Sequence, residues 1–381
     1  MVLSSCSSDA PQSSDKAQDA ASIYDLTLTE HAILAPLRNR QNGTPRPKYF
    51  YDTSDGSAYV YTMQPAFNQY IRTYRIDGDT LELVDSLAIP KACFDGVVGR
   101  IEEFFVLAKD SFLIEPYFYD FSQKTNKCFF LGKTHLDSLI TAKGSRDTLF
   151  SNDVLYAFRH QDLTYQSKLI RQQNYSYTRV ENTHLLKYKH PIITINDMAT
   201  GTDTSLFSYP KHLQSVLGKA YLPLLSTQIE GKLIMLIPAE NAFYTLDLNT
   251  YQQSKVEFNN SYMDQSLDFD IKDKMKRKYE ADFYVELVYN PFLEQLVLIQ
   301  HEAAPYESED GMTIHSLASD KKRVLVFDKN LKLESNSAFE TDRESFYMFL
   351  QPTPNGFLDF EHKVVGNHNY KLQEYVLTTR K

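Results

Sequence analysis

The sequence predicts an all-β protein, a single β-propeller of six blades with seven as the alternative, its ring closed by an N-terminal strand. Three observations predict it. The first is a recurring unit of strand, aspartate, polar turn and returning strand, plainest in FYTLDLNTYQQSKVEF at 243–258. It returns as YRIDGDTLELVDSLAI from Tyr74, FYDFSQKTNKCFFLG from Phe118, TINDMATGTDTSLFSY from Thr194 and VLVFDKNLKLESNSAF from Val324. The second is the aromatic content, 26 Tyr and 24 Phe with no Trp, which suits pleated, half-buried surfaces better than helices. The third is the supply of short apolar runs bounded by Gly, Pro, Asn and Asp, the punctuation of an all-β chain.

Taken in order, Tyr24–Ala35 (YDLTLTEHAILA) alternates apolar and polar residues as a strand with one buried face does. RNRQNGTPRP (38–47) breaks it as an exposed loop. The first block, 48–90, holds the runs KYFYD, AYVYTM, YIRTYRI and LELVDSLAI, and Asp77-Gly78-Asp79 is a hairpin signal between the last two. Four such strands in succession form a meander, the unit of a propeller blade. A second block, 94–133, offers FFVLA, SFLIEPYFYDF and KCFFLG. The third, 147–209, opens with TLF and VLYAF, makes a polar excursion over 159–184, and closes with PIITIND and SLFSY.

Block four, 221–258, reads LPLLS, KLIMLIP, AFYTLDL and KVEF; block five, 282–339, reads FYVELVY, QLVLIQHEA, RVLVFD and LKLESNSAF. The last, 345–379, has FYMFLQ, GFLDFE and KLQEYVL and lacks one strand, which Tyr24–Ala35 can supply, leaving no open edge. Asp77, Asp120, Asp197, Asp247 and Asp328 mark the third-strand ends. The intervals before Asp197 and Asp328 are long. Insertions account for them at little entropic cost; otherwise 167–172 marks a seventh blade. LDFDIKDKMKRKY (267–279) is the best helical candidate, with Leu267, Ile271 and Met275 on one face.

The N-terminus carries its own message. Leu3-Ser4-Ser5-Cys6 has the form of a bacterial lipobox, which makes Cys6 the expected lipidation site. Met1-Val2 supplies neither a basic nor an apolar leader, so either the start lies further upstream or the leader has been trimmed. The Ser/Ala/Asp-rich tract 7–22 suits a flexible tether, which divides the chain into a lipobox remnant and tether, 1–23, and a propeller, 24–381. No apolar run reaches the ~18–20 residues of a membrane span, so contact with the membrane is expected only through the lipid. Cys93 and Cys128 fit either buried thiols or, in an oxidising envelope, a disulfide.

Chemistry is sparse. A net charge of −9 disfavours nucleic acid, the run KDKMKRK at 272–278 being a short local exception. Asp268, Asp270 and Asp273 lack the Gly and final Glu of a calcium loop, Tyr279 standing where the Glu belongs. His362 and His368 lack a zinc spacing, and His301-Glu302 reads as a strand-terminal histidine. There is no G-x-S-x-G elbow, and 13 Gly leave no phosphate loop. No catalytic, cofactor or metal residue is assigned. Without Trp, the Trp-Asp and Asp-box propeller repeats are absent, as are Kelch-type glycine pairs.

The Leu3–Cys6 lipobox together with units such as YTLDLNT and LVFDKNLKL resembles uncharacterised lipoproteins of the Bacteroidota, a domain-of-unknown-function family related to six-bladed propellers. The resemblance spans about Tyr24 to Lys381 and brings no catalytic residues. It also implies O-glycosylation acceptors at Asp79-Thr80-Leu81, Asp85-Ser86-Leu87, Asp137-Ser138-Leu139 and Asp147-Thr148-Leu149, each of which also reads as a plain turn. The expectation is a lipid-anchored module of the cell envelope, on the outer membrane, binding a glycan, peptide or protein partner. The alternatives are a carbohydrate hydrolase or lyase with carboxylates in the central mouth, and a structural subunit of an outer-membrane assembly.

Overall fold

The computed structural model describes residues 24–35, 47–63, 70–89, 101–116, 127–132, 136–140, 156–158, 163–165, 168–172, 174–177, 191–197, 200, 202–210, 224–263, 280–304, 321–339, 348–361 and 370–379. Cys6 and the tether, Cys93, the helical candidate 267–279, the glycosylation candidate at 147–149, and His362 and His368 lie outside them, as does the side chain of Cys128.

Every described element is a strand, and the strands form six four-stranded antiparallel sheets and one two-stranded sheet. The first comprises Lys48–Asp52, Ser57–Met63, Tyr70–Asp77 and Thr80–Ala88. The second comprises Ile101–Ala108, Ser111–Pro116, Lys127–Gly132 and Leu136–Ile140. Its third strand is thus Lys127–Gly132, and Asp120 does not mark it. The third sheet draws two strands, Leu163–Tyr165 and Lys168–Gln172, from the stretch read as a polar excursion, and pairs them with Ile193–Asp197 and Thr202–Leu206. Of the segment 167–172, weighed as the sign of an extra blade, Lys168–Gln172 therefore belongs to this sheet.

The fourth sheet is Leu225–Ile229, Lys232–Leu236, Ala242–Asp247 and Gln253–Glu257. The fifth is Phe283–Asn290, Gln295–His301, Lys322–Asp328 and Leu333–Phe339. In the closing sheet Leu350–Thr353, Gly356–Glu361 and Tyr370–Thr379 take Tyr24–Ala35 as their fourth strand, with Tyr24 opposite Thr379 and Ala35 opposite Tyr370.

The sheets stack face to face, and strand alternation explains how. In the fifth, Leu296, Leu298, Leu325 and Phe327 point to one side and join a core shared with the fourth. Val297, Ile299, Val324 and Val326 point to the other and join Leu350, Phe357 and Tyr375 of the closing sheet. A sheet buried on both faces needs continuous apolar runs, which is why QLVLIQ and RVLVF carry no polar alternation. Further cores join the third sheet to the fourth, the closing sheet to the first, and the first to the second. Phe327 sits in an aromatic cluster, its ring centroid 4.9 Å from Phe243 and 5.1 Å from Phe258.

Connectivity sorts the links to opposite ends. Turns between first and second strands, and between third and fourth, are short: 53–56, 109–110, 230–231, 248–252, 291–294, 329–332 and 354–355 among them. The strand ends from which the links between second and third strands, and from sheet to sheet, leave and return lie at the other end, called here the long-link end; Gln172 and Ile193, Glu257 and Phe283, and His301 and Lys322 are among them. Both Tyr24 and Thr379 belong to the short-turn end.

Two of the marker aspartates, Asp247 and Asp328, cap these short turns. Asp247 Oδ1 accepts the amides of Asn249 (2.9 Å) and Thr250 (2.8 Å), and Asp328 Oδ1 those of Asn330 and Lys332 at 2.9 Å. Asp52 does the same for Ser54 at the end of a first strand. Two backbone donors hold the Asp247 carboxyl below the usual carboxylate range. Its contribution is therefore complete above the unfolded value of about 4 and lost as pH falls through the lower folded value. Asp247→Ala is expected to lower the melting temperature at pH 7, and the gap to the unaltered protein should narrow below about pH 4. A gap that stayed constant with pH would show the carboxylate charge to be irrelevant.

Candidate functional site

At the long-link end of the fifth sheet the apolar stacking gives way to polar side chains. Asn260, on the link from the fourth sheet, is buried and organises the side facing that sheet. Its Nδ2 donates to the Tyr284 hydroxyl (2.9 Å) and to Gln300 Oε1 (2.7 Å), while its Oδ1 accepts from Asn336 Nδ2 (3.2 Å) and the Tyr262 amide (3.2 Å). Burial raises the Tyr284 hydroxyl well above the usual tyrosine range, which keeps it a donor, and it donates to Asn241 Oδ1 at 2.6 Å. Gln300 Nε2 completes the mesh on the Tyr262 carbonyl at 3.2 Å. Amide side chains suit such a place because each both donates and accepts, so a buried set can satisfy itself.

Above this mesh stands a charged and aromatic layer. The Arg323 guanidinium lies 3.5 Å from the centroid of the Tyr262 ring. Its Nε donates to Glu302 Oε1 at 2.7 Å and its Nη1 to Asn336 Oδ1 at 3.2 Å. The Arg323 side chain is only 12% exposed, whereas Tyr262 is 45% exposed, one of four large apolar or aromatic residues so open to solvent among the described residues. Tyr262 is thus held at its amide, its carbonyl and one ring face, and offers the rest to solvent. A guanidinium matches this task because it can stack and hydrogen-bond in its own plane at once.

On the other side of the same sheet, strand alternation aims His301 and Lys322 toward the closing sheet, from which Asp359 and Gln373 face back. All four are buried at the long-link end, His301 with its ring 5.0 Å from that of Phe283, and Asp359 Oδ1 accepting the Phe349 amide at 3.0 Å. His301 is therefore the packed strand-terminal histidine its sequence context implied. Its neighbour Glu302 is the part of that motif with a surface role, which only the distant Arg323 could have revealed.

The acidic groups around this layer have partners. Glu302 is committed to Arg323, and Asp282 Oδ1 accepts the Ala303 amide at 2.7 Å. Among the described residues no three His, Cys, Asp or Glu side chains converge as metal ligands do. Of the acceptor motifs implied by the resemblance, Thr80 and Ser86 lie exposed on the outer strand of the first sheet, where Thr80 Oγ1 donates to the Asp77 carbonyl at 3.0 Å.

No family model matches the sequence, and no curated protein matches it. Solved structures do. A member of the DUF4221 family from Bacteroides vulgatus superposes with a TM-score of 0.62 at 10% identity, over 94% of this chain and 99% of that one. An exported-protein candidate from Bacteroides fragilis follows at 0.47 and 10% identity, over 96% and 98% of the two chains. The WD40 domain of Toxoplasma gondii coronin reaches 0.44 at 7%, over 94% and 89%. The first likeness is one of fold, and it meets the expectation of a Bacteroidota relative of unknown function; at scores below 0.5 the other two add nothing to it.

Proposed function

We propose that the chain is a six-bladed β-propeller of the cell envelope, anchored by a lipid on Cys6, whose long-link end binds a glycan or peptide around Tyr262. The stacking order supports the ring: second, first, closing, fifth, fourth and third sheets succeed one another through shared cores or strand contacts. Tyr51 of the first sheet also meets Phe292 of the fifth, at 5.4 Å between centroids, across the inner end of the closing sheet that separates them. Such a contact between sheets two apart fits a ring that narrows to its axis.

The observation that carries the binding reading is the fixed, exposed Tyr262. An aromatic side chain immobilised before the ligand arrives spares the entropy of ordering it on binding. Aromatic and Arg side chains dominate recognition surfaces for that reason. A thermal-shift screen of oligosaccharides and peptides tests it, since a ligand at about 100 times its Kd adds about 2.7 kcal/mol of stability. Tyr262→Ala is expected to abolish most of that shift while leaving the unliganded melting temperature within about 1–2 °C, because half-exposed surface residues contribute little to folding. A shift that survives Tyr262→Ala would place binding elsewhere, and no shift with any ligand of either class would end the reading.

A further inference from the structure

Resting on the reading of Tyr262 as a binding residue, we infer that its ligand is an uncharged sugar, a neutral pyranose chain whose C–H face lies on the open face of the ring. Two observations select this class: what stands behind the ring and what stands beside it.

Behind the ring is a cation that already has its anion. The Arg323 guanidinium covers one face, 3.5 Å from the ring centroid, and Glu302 Oε1 accepts from its Nε at 2.7 Å. The strand ladder fixes both residues. Arg323 lies opposite Gln300, and the Glu302 amide extends the pairing by donating to the Lys321 carbonyl at 2.9 Å. A cation arriving at the open face would meet a ring whose electron density is already drawn to the guanidinium, with a like charge one ring's thickness behind. Lysine, arginine and amino-sugar ligands are therefore disfavoured. An anion gains little either, because Glu302 already answers the guanidinium charge and the whole chain carries −9. Dispersion and the release of water need no charge, and the cation behind the ring leaves them intact.

Beside the ring there is no second apolar surface among the described residues. The other large apolar side chains as open to solvent are Leu83, Val84 and Phe292. The first two lie on the outer strand of the first sheet, and Phe292 lies in the short turn 291–294 at the opposite end. The groups at the base of Tyr262 are polar: Asn241 and Asn336, both half-buried, bond to Asn260, which in turn holds the Tyr262 amide. A hydrophobic peptide anchor favours a desolvated, well-packed pocket, and one ring among amides is not that. A single ring does match the C–H face of one pyranose. Side-chain amides match the hydroxyls at its rim, since both kinds of group donate and accept.

The test is an array of neutral, acidic (uronic acid and sulfated) and basic (de-N-acetylated) oligosaccharides, printed beside a peptide library and probed with the full chain. Hits are then measured by titration calorimetry. Binding is expected among the neutral sugars, with charged counterparts of the same backbone about tenfold weaker or worse. Tyr262→Ala is expected to weaken it by about tenfold or more, whereas Phe292→Ala, at the other end, should leave it within about twofold. Glu302→Gln leaves the guanidinium charge unanswered, and should raise affinity for the acidic counterpart relative to the neutral sugar by about threefold or more. A melting curve for each variant separates lost fold from lost contact. Should Glu302→Gln fail to fold, the neutral-to-charged ratio of the unaltered protein decides by itself. Tyr262-dependent binding of peptides or of charged sugars, or an unchanged ratio in folded Glu302→Gln, overturns the inference and leaves Tyr262 as a binding residue. No Tyr262-dependent ligand of any class overturns both.

Discussion

A chain beginning at Pro47, and so lacking the strand Tyr24–Ala35, is expected to lose its cooperative thermal transition and to aggregate. A chain beginning at Ile23 should melt like the whole protein. The missing strand makes nine register pairs with Tyr370–Thr379, buries Leu26 in the core between the fifth and closing sheets, and holds the Ser335 bonds. Domains as a class are stable by only about 5–15 kcal/mol, and the loss of one strand with its ladder and core contacts is of that order. It would also bare the edge of Tyr370–Thr379, whose unpaired amides and carbonyls invite other chains. A synthetic peptide of sequence YDLTLTEHAILA should restore part of the transition by adding itself to that edge. If the shortened chain melted within a few degrees of the whole protein and stayed monomeric, the strand would be an ornament.

Gly356→Ala is expected to cost about 3–5 kcal/mol, through a backbone collision of the overpacking kind and a broken buried hydrogen bond. A Cβ at this position would meet the Tyr375 carbonyl oxygen at 2.0 Å and Val376 Cα at 2.9 Å. Those atoms belong to the neighbouring strand, so no side chain can swing aside. Gly356 also offers its carbonyl to Asn290 Nδ2 at 2.6 Å, and the same nitrogen reaches the Thr353 carbonyl at 2.9 Å. Asn290 is fully buried and uses its Oδ1 to accept the Phe292 and Leu293 amides, so one side chain joins the innermost turns of the fifth and closing sheets. Asn290→Ala should therefore destabilise by a similar route, and the two substitutions should combine to less than their sum. Gly78→Ala is the comparison: nothing lies within 4 Å, φ is +56°, and a cost of only about 1–2 kcal/mol is expected from the left-handed backbone. Chemical unfolding of these four variants beside the unaltered protein decides it, and equal losses for Gly356→Ala and Gly78→Ala would mean that the close approach is not the cause.

What the sequence made legible follows from which signals are local. The first, fourth and fifth sheets were readable strand by strand because Asp-Gly and Asp-x-Asn/Thr turns punctuate clean apolar runs, and Asp247 and Asp328 cap their turns within a few residues. The place of Tyr24–Ala35 as fourth strand of the last sheet was readable from an unfilled place in the last block together with a strand-like period. The second sheet was less clear: LDSLI is as good a turn motif as a strand, so Leu136–Ile140 went unrecognised and Asp120 stood in for a third-strand end. In the third sheet, LTY and KLIRQ are strands whose polar residues hide their period. The candidate site was not legible at all. Asn260 meets Asn336 across 76 positions and Gln300 across 40, and single amides in a loop or a strand announce nothing until the sheets bring them together.

The pairing of Tyr24–Ala35 with Tyr370–Thr379 also fixes when the protein can finish folding. Contacts such as Tyr24 to Ser335, separated by 311 positions, place this fold among those whose rate is limited by distant pairings. During synthesis the first strand emerges hundreds of residues before its partner exists, and every earlier sheet can form while it waits. Completion thus coincides with that partner strand leaving the ribosome. Until then the newborn chain carries one unsatisfied strand at its front and one incomplete sheet at its back, the interval in which a holding chaperone would matter most.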